Sequence, residues 1–139
     1  MEHETLFSAV GILAMAGWVI LFIYPWAPNW AIKLAGTAIP ITLSAGYALF
    51  TLAFPPASGG FGTFRDVVTL FSNEEAVMSG WIHFLAFDLF VGGWICNGAR
   101  EEKINHLLIM PCLALTFLFG PSGLLLFFVV RGIKTRRTQ

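Results

Sequence analysis

Trp81-Ile82-His83-Phe84-Leu85-Ala86-Phe87-Asp88-Leu89-Phe90-Val91-Gly92-Gly93-Trp94 is the stretch that decides how this chain is read. It lies within an apolar stretch, about 76–96, that is long enough to cross a bilayer, yet it holds a carboxylate and an imidazole. Asp88 is the one acidic residue inside any of the long apolar stretches, and His83 is the one histidine well inside such a stretch. A carboxylate near a bilayer centre costs roughly 2.5–3.5 kcal/mol on insertion scales, so it faces a protein interior, a partner or a wet cavity rather than lipid. The default reading of Asp88 is therefore a functional site, with a structural polar contact as the competing one.

Composition agrees with a membrane setting. The 139 residues are 57% hydrophobic and only 12% charged, with a formal net charge of zero. A soluble domain of this size could not hide that much apolar surface, and no global field is present to attract nucleic acid. Four stretches approach the ~20 residues that a ~30 Å hydrocarbon core requires: about 6–24, 31–54, 76–96 and 107–130. Lipid forces backbone groups to pair within a segment, so each reads as a helix. The expected fold class is thus all-α, a four-helix transmembrane bundle forming a single integral membrane domain. Trp18, Tyr24, Trp26 and Trp30 fit an interfacial aromatic belt. Pro40, Pro111 and Pro121 lie inside the second and fourth stretches, where they should kink them.

The first stretch follows the acidic flank Met1-Glu2-His3-Glu4-Thr5 and precedes aromatics and prolines, with no small-residue cleavage site. It reads as a retained helix, not a signal peptide. There is no Arg- and Ser-rich transit segment, which favours a bacterial cytoplasmic membrane. An even number of spans puts both termini on one side. Arg65, Arg131, Lys134, Arg136 and Arg137 then oppose Lys33, Arg100 and Lys103. The positive-inside rule places both termini in the cytoplasm, with 131–139 as a basic cytoplasmic tail.

The connection at 55–75 is the longest. Ser58-Gly59-Gly60-Phe61-Gly62 is flexible, and Phe64 to Phe71 reads as a short amphipathic helix lying in the interface or over a pocket. Ser72 with Glu75 fits a capping box for the third span.

The third span carries the chemistry. At the helical repeat, His83, Phe87, Phe90, Trp94 and Asn97 share one face. Asp88 stands about 140° from His83 on the same wheel, so the two are not a same-face pair. They could flank one cavity from two edges or touch different neighbouring helices. Gly80, Gly92 and Gly93 admit another backbone or a flat ligand. Trp81, Phe84, Phe87, Gly92, Trp94 and Asn97 are the candidate ligand surface, with ordinary packing as the alternative. No charged partner for Asp88 lies within the spans. An unpaired carboxyl in an apolar setting is favoured in its neutral form, and such an acid can serve as a general acid at neutral pH. Asp88 and His83 are the candidate acid and base.

Other site classes are weak. Cys96 and Cys112 read as two free thiols, and His3, His83 and His106 are not at metal-ligand spacing. No metal, nucleotide or other cofactor motif is present.

Leu70-Phe71-Ser72 with Glu75, Trp81-x-His83, Asp88-Leu89-Phe90 and Phe119-Gly120-Pro121-Ser122-Gly123-Leu124-Leu125 closely resemble the pattern of the abscisic-acid-deficient-four-like family. These are small four-span membrane proteins of plants, algae and bacteria. The resemblance covers roughly Phe71 to Arg131. The family is named for a plant plastid protein needed to convert violaxanthin to neoxanthin, which opens an epoxide to an allenic alcohol without net redox change. The resemblance implies a carotenoid or related isoprenoid lipid as ligand and supplies no catalytic residues. Three functions remain open on these grounds: a carotenoid isomerase, a non-catalytic carotenoid- or lipid-binding subunit, and a small proton- or cation-linked transporter. A homodimer could complete the pocket of so small a bundle.

Overall fold

The structure is a computed structural model that describes residues 2–137, with side chains from 3 to 134. It is built from helices α1 (Glu2–Phe22), α2 (Asn29–Lys33), α3 (Ile39–Ala53), α4 (Phe64–Leu70), α5 (Glu74–Glu101), α6 (His106–Phe119) and α7 (Pro121–Arg137). A π-helical turn, Leu34–Ala38, joins α2 to α3, so that Asn29–Ala53 forms one rod. Among the described residues, three helical segments are long and apolar enough to cross a membrane: His3–Phe22, Asn29–Ala53 and Glu74–Glu101.

α5 is the central rod, 28 residues long and so about 42 Å at 1.5 Å per residue. α1 runs parallel to it. Phe7 stacks on Trp81 at 5.2 Å, Gly17 meets Leu89, and Leu21 and Trp18 meet Gly92. Farther along, the Cys96 thiol donates to the Leu21 carbonyl at 3.6 Å. Arg100 closes this side by donating to the carbonyls of Tyr24 and Ala27 and to Asn29 Oδ1.

The α2–α3 rod runs antiparallel to α5. Gly36 lies against Gly93, Tyr47 packs edge-on against His83 at 5.6 Å, and the Thr51 and Ser79 hydroxyls share a 3.1 Å hydrogen bond. A Cβ on Gly36 would come within 2.6 Å of the Gly93 Cα. Only paired glycines permit this backbone approach, the usual device where helices associate without a hydrophobic driving force. Ala14, Trp18, Leu21, Ile32, Ile82, Leu89 and Ile95 form the core between the three rods. The outer surface is apolar too: Ile12, Val19, Ile41, Leu49, Leu52 and Leu125 all point away from the bundle.

The fourth apolar stretch, 107–130, departs from expectation. It is not one helix. Gly120 adopts φ 34°, a left-handed conformation open to glycine, and Pro121 begins a new helix whose first turn needs no proline N–H. The chain reverses there. α7 lies back against α6, with Gly123 in contact with Thr116 and Cys112. Phe127 reaches Trp94 at 5.5 Å and covers Gly98. Arg131 pairs with Glu102, and Lys134 donates to the carbonyls of Glu102 and Lys103. α6 and α7 are thus a helical hairpin that starts and finishes at the Glu101 end of α5, with its tip at Asp88. At 14 residues, α6 extends only about 21 Å.

Two further expectations change with it. Residues 3–7 pack at the Glu74 end of α5 while Arg131 and Lys134 pack at the Glu101 end, so the described termini lie at opposite ends of the bundle, not on one side. The even count of crossings that put them together fails because the hairpin turns back. Of the basic tail at 131–139, α7 carries the backbone to Arg137, and Thr138 and Gln139 lie outside the described residues.

The long connection does contain its short helix, α4, capped by Thr63 Oγ1, which accepts from the Asp66 amide at 3.1 Å. The capping box on Ser72 does not form. Ser72 donates to the Val68 carbonyl at 2.9 Å, and Asn73 is the N-cap of α5 without a side-chain cap bond. The Asn73 amide instead ties back to the carbonyls of Ser58, Thr69 and Leu70, fixing the connection against α4.

Candidate functional site

The hairpin fills the space beside α5 only from Asp88 to Glu102. Over the other half, from Glu74 to Asp88, a cavity of about 1090 Å³ remains, open along its side, with Phe7, Trp81, Phe84 and Phe87 all partly exposed. α5 forms one wall through Val77, Met78, Trp81, Phe84 and Phe87, with Gly80 and His83 between them. Phe7 of α1 supplies the facing wall, and Pro121 at the hairpin tip closes the floor beside Asp88. His3, Glu4, Ser72 and Glu74 line the other end. The cavity is thus apolar along its length and polar at its two ends.

Asp88 sits at the inner end. It is 8% exposed, and its Oδ2 is buried with no hydrogen-bond partner. A Cβ on Gly120 would stand 2.5 Å from Asp88 Oδ1, so the carboxyl occupies the space that glycine leaves. Among the described residues, one other buried side-chain atom lacks a partner, His106 Nδ1. That ring lies outside the cavity, between Tyr24 and Trp26 at 5.1 and 5.3 Å.

His83 lines the same cavity from its other edge, its ring stacked on Phe87 at 4.6 Å and steadied by Tyr47. Phe7, Trp81 and Phe84 form a second stack, with centroids 5.2 and 5.8 Å apart. Two aromatic ladders therefore flank the path to Asp88. Gly80 lets Phe71 lie against α5, since a Cβ there would be 3.1 Å from Phe71 Cε1.

Of the residues singled out in the sequence, Asp88, His83, Trp81, Phe84 and Phe87 come together at this cavity. Gly92, Trp94 and Asn97 do not. A Cβ on Gly92 would meet Trp18 and Leu21 at 2.9 Å, so this glycine serves the contact with α1. Trp94 packs on Phe127 and Phe128 beside a separate groove of about 250 Å³, and Asn97 is exposed. Sequence reading missed His3, Glu4, Phe7 and Pro121. The glycine–proline pair inside an apolar run was the available signal for Pro121, because that dipeptide marks turns. Nothing local pointed to the α1 residues. Cys96 and Cys112 are both buried and free. Among the described residues, no three His, Cys, Asp or Glu side chains are placed to hold a metal ion.

The rods and cavity define an all-α protein with membrane-length helices and one long apolar site ending on a carboxyl group. The chain belongs to the ABA DEFICIENT 4-like family, whose family model matches residues 5–127. It is 27% identical over 133 residues to Protein ABA DEFICIENT 4, chloroplastic, of Arabidopsis thaliana. That match covers 96% of this chain and 48% of the relative, so the chain spans about half the relative's length. No solved structure matches.

Proposed function

We propose that this protein is embedded in a bacterial cytoplasmic membrane, takes a carotenoid or related isoprenoid lipid along α5, and isomerises an oxygenated end group of that ligand. The observation that carries this reading is the unpartnered Oδ2 of Asp88 at the inner end of an apolar, aromatic-walled cavity. A buried polar atom without a partner is costly, and a ligand oxygen would supply the partner. The apolar outer faces of α1, α3 and α7 suit lipid contact, and the chain belongs to the ABA DEFICIENT 4-like family, a resemblance that implies a carotenoid or related isoprenoid ligand.

The chemistry needs only two proton positions. Asp88 donates its proton to the epoxide oxygen as the C–O bond breaks. His83 removes a carbon-bound proton, and the electron pair of that C–H bond becomes the new double bond of the allene. The product has the composition of the substrate, so no oxidant or reductant enters. The aromatic ladders would hold a flat polyene between these groups. General acid–base assistance of this kind contributes typically 10²–10⁴-fold.

A second reading is a carotenoid-binding subunit without catalysis. The close contact of Asp88 with Gly120 favours it, because that contact gives the carboxyl a role in seating the hairpin tip. Pigment extraction from the detergent-purified protein, followed by mass spectrometry, tests ligand binding. Product analysis in carotenoid-producing cells separates the two readings: new isomer formation supports the enzyme, and bound pigment without conversion supports the binding subunit. Neither bound pigment nor conversion would overturn both.

A further inference from the structure

We infer that the cavity is loaded from the extracytoplasmic side alone, because the α6–α7 hairpin plugs the cytoplasmic half of the bundle up to Asp88 while the half bearing Glu4, Ser72 and Glu74 stays open. This rests on the proposed membrane setting and says from which leaflet the lipid comes.

The hairpin makes the sidedness legible. Once α7 returns to the Glu101 end, the cations regroup. Lys33, Arg100, Lys103, Arg131 and Lys134 stand at that end, and the sequence continues along α7 into Arg136 and Arg137. Arg65 alone of the eight lysines and arginines stands at the other. Seven against one is a far stronger bias than the five to three that a fourth crossing would produce, and it makes the Glu101 end cytoplasmic. The described N-terminal residues then face outward. Glu4, Asp66, Glu74 and Glu75 lie at that outward end.

The plug is tight. Within the hairpin, the Ile109, Cys112, Leu113, Thr116 and Phe127 side chains are fully buried. Arg100 is tied to the α1–α2 connection, and Arg131 and Lys134 are tied to Glu102 and Lys103. The separate groove beside Trp94 and Phe128, on the hairpin's side of α5, does not include Asp88 in its lining. From the outer end, the floor is about 21 Å away, 14 residues of α5. A lipid entering from the outer leaflet therefore reaches Asp88 with one end while its other end stays near Glu4, Ser72 and Glu74.

Cysteine accessibility tests this without any ligand. Cys96 and Cys112 are fully buried and inert backgrounds for impermeant thiol reagents. Single variants Ser72→Cys, Lys103→Cys and Gly132→Cys are treated with a membrane-impermeant maleimide in right-side-out spheroplasts and in inverted vesicles. Ser72→Cys should label only in spheroplasts, and Lys103→Cys and Gly132→Cys only in inverted vesicles. Labelling of Gly132→Cys together with Ser72→Cys means that the fourth stretch crosses, and the inference fails. Labelling of Ser72→Cys only in inverted vesicles reverses the orientation and also defeats it. Asp88→Cys, with Phe84→Cys as a second reporter should the first not accumulate, is probed with a small cationic methanethiosulfonate. Reaction from the Ser72 side alone supports one-sided loading, and reaction from the Lys103 side or from neither side overturns it. Failure to extract any pigment leaves these labelling patterns unchanged, so the two proposals fail separately.

Discussion

The carboxyl of Asp88 lies against Gly120, the residue at which the chain reverses between α6 and α7, so the acidic group in the middle of α5 and the tip of the hairpin share one space. A methyl group at Gly120 would sit 2.5 Å from Asp88 Oδ1, on a backbone already at positive φ. Gly120→Ala combines a strained backbone, on the order of 1–3 kcal/mol, with a steric push on the carboxyl. Thermal unfolding of the purified protein in detergent should show a clear drop. Gly132→Ala inside α7, which meets nothing within 4 Å, should hold or slightly raise the midpoint. Equal midpoints for the two variants would remove the case for this contact.

Asp88 can be an acid, a structural partner or both, and substitution separates these. Asp88→Asn keeps shape and hydrogen bonding but loses the titrating proton. If Asp88 is the acid, this variant accumulates and retains bound pigment, yet conversion falls by about 10²-fold or more. His83→Gln should do the same from the other edge of the cavity. Asp88→Leu removes the polar group altogether and tests the seat at Gly120. Full conversion by both Asp88→Asn and His83→Gln in carotenoid-producing cells would end the acid–base mechanism.

Gly36 and Gly93 bring two rods into backbone contact at the π-helical turn. Neither partner is the end of a flexible side chain, so nothing can swing aside. Gly93→Val should destabilise by about 1–3 kcal/mol or more, the usual cost of overpacking. Gly46→Ala on α3, with no neighbour within 4 Å, is the control. Expression level and resistance to limited proteolysis in membranes report the difference, and a Gly93→Val protein as resistant as the control would contradict the contact.

Much of the fold was legible in composition, because lipid imposes length and apolarity on a crossing helix. That reasoning found the rods at 6–24, 31–54 and 76–96. It could not find the hairpin. The 24 residues of 107–130 are long enough to cross, and a proline inside such a run reads as a kink, whereas Gly120–Pro121 reverses the chain. With the even count of crossings went the placing of both termini on one side. Asp88 stood out because a charge in an apolar run is costly wherever it points. The facing wall at His3, Glu4 and Phe7 was not legible, since helices with apolar residues on every side carry little information about which face meets which neighbour. Gly92 shows the same limit: its missing side chain admits Trp18 of α1, where a ligand was expected.

What holds the hairpin against α5 can be decided by magnitude. At its open end Arg131 pairs with Glu102, but the two side chains are 41% and 30% exposed. Pairs of that kind contribute roughly 0–1 kcal/mol. Phe127, by contrast, is fully buried, packed on Trp94 at 5.5 Å and against Gly98. Truncating a buried phenylalanine costs about 3–5 kcal/mol in water-soluble cores. In the proposed membrane setting lipid tails would weaken the transfer part of that cost and leave the packing part, so about 3 kcal/mol is the expectation. Glu102→Gln should therefore shift the unfolding midpoint little, while Phe127→Ala lowers it several-fold more and exposes Cys112, buried in α6 of the hairpin, to a small permeant thiol reagent. Faster modification of Cys112 in Glu102→Gln than in Phe127→Ala would show that the ion pair, not the buried ring, seats the hairpin.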